Sequence, residues 1–255
     1  MATGFFTAAS GMMMQQRTLN VIANNMANAN TPGFKTERVV STTFQQELLM
    51  RQQGYNQTRI GSGDAVKVVE DVPTQFDESL IKNTGRPFDL AIEGEGFFSI
   101  KDADGKQYLT RNGQFDIDNE GYLVLPGVGR VQGSRGDLKI EGSDFSVNSE
   151  GTVFNTKGRM VGDLQIIAAS REAKLEKFPN GLFQVPGGEG ILGETAGLSE
   201  IAAPNIGQGL LEASNANYNR EVALLMETQR TFQSCSKALT MIDEIERKAA
   251  NIASL

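Results

Sequence analysis

Apolar and small side chains at Phe5, Ala9, Met12, Leu19, Ala23 and Met26, with Gln16 included, alternate spacings of four and three along the first thirty residues. That 3.5-residue rhythm is the seam of a coiled coil, so the chain should begin with one amphipathic helix. About 25 residues at 1.5 Å each give a rod of ~38 Å. Pro32 forbids further helix and pushes Thr31 toward extended geometry, while Gly33 tolerates positive φ. Pro32 and Gly33 are therefore expected to form the turn or hinge that closes an N-terminal segment, residues 1–35. The far end repeats the pattern. Leu225, Phe232 and Leu239 recur every seven, interleaved with Thr228, Cys235, Ile242 and Ala249. Neither proline nor glycine interrupts residues 210–255, and Ser214, Asn215 and Asn217 all suit an N-cap. A second helix of about 35 residues, ~52 Å long, follows from this.

Between these ends the period falls to two. "PFDLAIEGEGFFSI" sets Phe88, Leu90 and Ile92 against Asp89, Ala91 and Glu93, and "DADGK" then offers an Asp-Gly turn. Strand, glycine turn, strand continues through "RNGQFDID", "NEGYLVL" and "FSVNSEGTVFNTKGRMVGDLQIIAAS". Residues 85–200 read as an all-β domain of hairpins. Residues 36–84 read as an extended connector with a flexible "GSG" bend at 61–63, and 201–255 as a return linker followed by the C-terminal helix. The fold class is α+β: two long terminal helices in a coiled-coil-like layer, with a β domain between them.

Charge sharpens this picture. The net charge of −7 is unevenly spread, and the first acid in the chain is Glu37. Residues 1–60 hold five basic and two acidic groups, whereas 61–210 hold fourteen against twenty-three. The first segment can lie against copies of itself without like-charge repulsion, and the acidic middle belongs in water. Nucleic acid is an unsuitable partner for such a balance. Asn20, Asn24 and Asn28 recur at i+4 beside the apolar seam, where an exposed helix face would normally carry Lys and Glu. Each amide donates and accepts, so the stripe suits polar contacts between helices with register set by amides. Subunit packing is thus assigned to Phe5, Ala9, Met12, Leu19, Asn20, Ala23, Asn24, Met26, Asn28, Leu225, Phe232, Cys235, Leu239 and Ile242. A lone helix with one seam has little to bury against, so its permanent partners are expected to be sister copies.

Catalytic chemistry finds little footing. The sequence has no histidine, which removes Ser-His triads and the commonest metal ligand. Its single cysteine, Cys235, cannot form an intrachain disulfide and falls on the helical seam. "DIDNEG" at 116–121 imitates the start of a calcium loop, but its twelfth position is Gly127 instead of the bidentate Glu. Glu93 and Glu95 are the only pair that suggests sugar hydrolysis, and carboxylates two apart on a strand merely share a face. No cofactor or metal is expected, no run approaches a membrane span, and the N-terminus lacks the basic start of a cleaved secretory signal.

Five stretches together resemble bacterial flagellar rod and hook proteins. "NVIANNMANANTPGFK" is similar to their N-terminal signature. "TGRPFDLAIEGEGFFSI", "YLTRNGQFDIDNEGYLV" and "EGTVFNTKGRMVGDLQII" match β-domain landmarks in order, and "GLLEASNANYNREVALLMETQRTFQSCSKALTMIDEI" resembles the C-terminal helix. The resemblance implies a structural subunit, not an enzyme, of the basal-body rod that crosses the periplasm and transmits torque. Such a subunit leaves through the type III export apparatus without a cleaved signal. It self-assembles helically, with both terminal helices around a central channel and the β domain outside. Other rod and hook subunits and the rod-surrounding ring proteins would be its neighbours. "RIGSGDAVKVVEDVPTQ" resembles the distal-rod subunit; a proximal-rod or hook subunit is the alternative, and a polysaccharide-acting enzyme the remote one.

Overall fold

The computed structural model describes residues 2–43, 67–77, 79–140, 145–169, 175–178, 180–184, 197–201 and 204–253. The chain divides into two units. One comprises Met1–Ala27, Thr36–Phe76 and Ala216–Leu255, the other Asn28–Lys35 and Asp77–Asn215.

The helical unit contains α1 (Ala2–Ala27) and α2 (Tyr218–Ala253). Helix α1 stops before the asparagine-rich turn, well short of Pro32. Asn217 caps α2, its side-chain oxygen accepting the Arg220 N–H at 3.1 Å. Two contacts fix how the helices pair. The Asn25 amide lies 3.5 Å from the Glu221 carboxylate, and a Cβ on Gly11 would stand 3.6 Å from the Cys235 Sγ. Both contacts are separated by fourteen residues on each helix, so α1 and α2 run antiparallel in constant register. In that register α2 continues past the start of α1 from about residue 245.

On α2, Leu225, Thr228, Phe232, Cys235, Leu239 and Ile242 are half-buried or buried, while Met226, Glu227, Gln229, Arg230, Gln233 and Ser234 are exposed. The face with the expected 3.5-residue rhythm turns toward α1 of the same chain. On α1 the buried side chains are Val21, Ile22 and Asn25, with Met14 and Thr18 half-buried. This face lies about one residue around from the stripe expected from spacing. Phe5, Asn20 and Ala23 are exposed, and Ala9, Met12, Leu19, Asn24 and Met26 are half-buried. The reason is local composition: Ala8-Ala9 and Met12-Met13-Met14 place apolar groups on neighbouring phases, so periodicity alone leaves the rotation open. Beside the helices, Val40–Thr43 pairs antiparallel with Lys67–Asp71, so the connector contains a ladder. The "GSG" bend at 61–63 lies outside the described residues.

The β unit is built around Phe97–Lys101. One edge pairs with Gln107–Thr110 in a hairpin. The other edge is shared, with Ile100 and Lys101 facing Val131 and Arg130 and Phe98 and Phe97 facing Ile166 and Ile167. Side chains of this strand alternate between two apolar clusters. Phe98 and Ile100 join Leu90, Phe115, Leu123 and Val131; Phe97 joins Leu109, Ile167 and Phe183. Covering both faces explains why "FFSI" reads as a continuous apolar run. The same cover corrects the alternation expected at 88–93, since Asp89 and Ala91 are buried along with Leu90 and Ile92.

Hairpins alone do not account for this unit. Asn205–Gln208 pairs with Leu90–Glu93, and Leu210–Glu212 pairs with Ile81–Asn83. Two strands therefore occupy the segment read as a return linker, and the β structure reaches beyond 85–200 on both sides. Gly207 and Gly209 gave that stretch its linker-like composition. Gly209 instead makes the turn between the strands at φ +73°, its N–H donating to the Asp89 carbonyl at 2.8 Å.

Backbone proximity makes one glycine testable. A Cβ at Gly113 would stand 1.7 Å from the Leu90 carbonyl oxygen, whereas one at Gly127 meets nothing within 4 Å. Gly113→Ala should destabilise the full chain by about 3 kcal/mol through overpacking. Gly127→Ala should cost only about 1–2 kcal/mol from its positive φ. Urea unfolding followed by circular dichroism measures both, and equal losses would contradict the packing described.

Candidate assembly surface

The turn after α1 is docked rather than free to swing. Within the β unit the Gly33 N–H donates to the Glu212 carbonyl at 2.8 Å, and the Asn215 N–H donates to the Phe34 carbonyl at 3.2 Å. Gly33 sits at φ +66°, where a Cβ would fall 2.2 Å from the Arg111 carbonyl carbon. Only glycine permits both the conformation and the approach. Phe34 is fully buried, with the Lys177 ammonium 4.0 Å above its ring. Lys35 is 2 % exposed. Its ammonium donates to Glu212 Oε1 at 2.6 Å, the Asp77 carbonyl at 2.7 Å and Ser79 Oγ at 3.3 Å. Arg111 reaches the other Glu212 oxygen at 3.4 Å and the Gly94 carbonyl at 2.6 Å. Glu212, 5 % exposed, thus lies between two cations. Pro32 starts this insertion, and the Thr31 hydroxyl bonds to Asn28 Oδ1 at 3.2 Å.

The asparagines separate into different roles. Asn25 is 2 % exposed in the helical unit. Its Nδ2 donates to the Glu37 carbonyl at 3.0 Å while its Oδ1 accepts the Glu37 N–H at 3.1 Å, so one amide imitates a strand neighbour. Asn20 is exposed and accepts from Gln16 at 3.3 Å, Asn24 is half-buried, and Asn28 belongs to the turn in the β unit. Spacing alone singled out Asn20, Asn24 and Asn28 and passed over Asn25. A signal for Asn25 was present: it follows Thr18, Val21 and Ile22 on one helical face.

Helix α1 leaves a second face bare. Phe6, Met13, Asn20 and Ala27 are each seven apart and all exposed, Phe6 by 60 % and Met13 by 68 %. The Phe5 ring meets Phe6 edge-on at 6.0 Å. Arg17 is the only charged side chain on α1. The exposed side of α2 differs, carrying Arg220, Glu227, Arg230 and Lys237 and the Arg247–Asp243 pair at 3.0 Å. Arg17, exposed between Met13 and Asn20 on this same side, is the single charge in an otherwise apolar and amide stripe, whereas the exposed side of α2 is charged along its length.

The stretches that imitate ligand sites resolve into turns. Asp118 Oδ1 accepts the N–H groups of Tyr122 and Glu120 at 2.8 and 2.9 Å, and Arg130 bonds its other oxygen. The Tyr122 N–H, together with Glu120 and Arg130, holds the Asp118 carboxyl below its usual range. Glu93 accepts from Asn205 at 2.7 Å. A cleft of 660 Å³ is lined by Lys101, Asp102, Asp104, Arg130 and Asp137 and contains neither Glu93 nor Glu95. Among the described residues no cluster of three or more His, Cys, Asp or Glu suits a metal ion, and no helix is long and apolar enough to cross a membrane.

Removing either partner of a buried ion pair strands the other charge. Lys35→Met and Glu212→Gln should each lower stability by about 3–5 kcal/mol. The double variant should lose clearly less than the sum, and strict additivity in urea unfolding would contradict a direct pair. A depressed Asp118 pKa means its turn is favoured above the ordinary carboxylate pKa and loses that support as pH falls through the lower, folded value. Proton exchange at the Tyr122 amide should accelerate over that acidic window, and protection unaltered there would contradict the assignment.

Three family models match the chain. Residues 5–35 match the flagella basal body rod protein model, 91–155 the flagellar hook protein FlgE/F/G D1 domain, and 208–252 the flagellar basal body rod FlgEFG protein C-terminal model. The flagellar basal-body rod protein FlgG of Bacillus subtilis (strain 168) is 30 % identical over 266 residues, covering 99 % of both chains. FlgG of Agrobacterium fabrum is 32 % identical, covering 93 % of this chain and 94 % of its own. FlgF of Caulobacter vibrioides is 30 % identical, covering 98 % and 97 % respectively. The first and last models meet the two helices and the docked turn, and the relatives match from end to end. The chain belongs to the flagellar basal-body rod protein family and is a structural component of the basal body, not an enzyme.

Proposed function

We propose that the chain is a distal-rod subunit that polymerises with copies of itself into a hollow, torque-transmitting axle. The observation that carries this reading is the bare face of α1, where Phe6, Met13, Asn20 and Ala27 form an apolar-amide stripe with Arg17 as its one charge. A helix already paired along one side, yet apolar and amide-rich on another, is suited to a second helix–helix contact. Phe5, Asn20 and Ala23 of the expected packing set are exposed and remain available to it. Leu225, Phe232, Cys235, Leu239 and Ile242 act from the α1–α2 contact, giving a coiled-coil-like layer whose units are helix pairs. The contact joins different patches on successive subunits, and such head-to-tail joints build open helices.

The distal position is supported by the FlgG relatives and by the 59–75 resemblance. The FlgF relative keeps a proximal-rod position as the second reading. Other rod and hook subunits at the ends, ring proteins outside and the export apparatus complete the set of partners.

Purified full-length protein, concentrated and viewed by electron microscopy, should elongate into straight tubes. Phe6→Glu replaces an exposed side chain and should alter monomer stability by about 0.5 kcal/mol or less. It should nevertheless abolish tubes. Tubes formed equally by the variant would remove α1 from the contact, and a discrete hetero-complex without tubes would favour an adaptor role.

A further inference from the structure

We infer that the exposed methionines of the helical unit are oxidation sites that switch assembly off, an inference that rests on the polymer reading above. Nine methionines occur in the chain, and among the described residues four are exposed by half or more: Met13 (68 %), Met226 (57 %), Met241 (50 %) and Met160 (54 %). The first three lie on α1 and α2, and Met160 lies in a strand of the β unit. Met12, Met14 and Met26 are half-buried. Exposure governs access of a small oxidant to the thioether, so the chain divides into fast and slow sulfurs.

Position gives that division its consequence. Met13 stands at the middle of the bare stripe, seven residues from both Phe6 and Asn20. The antiparallel register sets Met241 level with Phe5, and Met226 level with Asn20 on the neighbouring helix. Hydrogen peroxide transfers one oxygen atom to the sulfur, forming an S–O bond as the O–O bond breaks. The thioether is oxidised by two electrons to the sulfoxide, and peroxide is reduced to water. A flexible apolar side chain becomes a polar one with a strong acceptor that an apolar contact leaves unsatisfied. The monomer keeps its fold, because these side chains already face water. The contact between subunits loses its centre. The reaction reverses when a methionine sulfoxide reductase, with a dithiol as reductant, removes the oxygen as water.

Peroxide treatment of the full-length monomer, followed by peptide mass mapping and electron microscopy, tests this. Met13, Met160, Met226 and Met241 should gain oxygen before Met12, Met14 and Met26, with unaltered circular dichroism and loss of tubes. Reductase and dithiothreitol should restore them. The Met13→Leu/Met226→Leu/Met241→Leu variant should still elongate after the same dose, although Met160 is oxidised in it. Oxidised parent protein that elongates like the untreated chain would overturn the inference, as would a triple variant that loses tubes on treatment. Untreated protein that never elongates refutes the polymer reading itself, and the switch falls with it.

Discussion

Glu212 holds the β unit's two chain ends together. Its carboxylate lies between Lys35 and Arg111, and its carbonyl accepts the Gly33 N–H. Taking three charges out of water is costly, and the return depends on short contacts that use most of the available donors. Those contacts draw on residues far apart in sequence, from the turn after α1, the end of Gln107–Thr110 just before Arg111, and the strand Leu210–Glu212. Leu210–Glu212 also pairs with Ile81–Asn83, so one short strand carries both the ionic cluster and the closing ladder. The segments from which the chain leaves for its two helices are consequently fixed to each other within the β unit.

The helical unit uses a different economy of polar groups. Asn25 satisfies both polar groups of the Glu37 backbone and faces the Glu221 carboxylate, on the same buried face as Val21 and Ile22. Buried amides of this kind contribute modestly to net stability but strongly disfavour misalignment, because a shift leaves them unsatisfied. Gly11 complements them by giving Cys235 room, so the lone thiol is a packing group at a narrow point of the pair.

How much of this could be read from residues alone depended on whether charge marked the outside. On α2, acids and bases flank the apolar rhythm, and the contact face lies where spacing set it. Helix α1 has no such marker apart from Arg17, and the face it turns to α2 lies about one residue around from the stripe that spacing picks out. The turn at Pro32-Gly33 was legible through backbone constraints, but its docking was not, since Arg111 and Glu212 are distant in sequence. Strands 205–208 and 210–212 were hidden by glycines whose purpose, a turn against Asp89 and close contact with Leu210, appears only once the sheet is assembled. The exposed stripe at Phe6 and Met13 was implicit in the absence of charge. Spacing could not separate it from the stripe covered by α2.

A seven-residue rhythm on both helices has an ambiguity built into it, because sliding one helix by a heptad, about 10 Å, restores the same alternation of apolar layers. Asn25 and Glu221 break that degeneracy. A slip of one heptad sets Asn25 level with Thr228 and Glu221 beyond the end of α1, or Glu221 level with Thr18 and Asn25 ahead of α2, so the amide and the carboxylate part and the pair works like a key with a single notch. Every copy then presents its bare stripe at the same height, a precondition for stacking many copies without accumulating error.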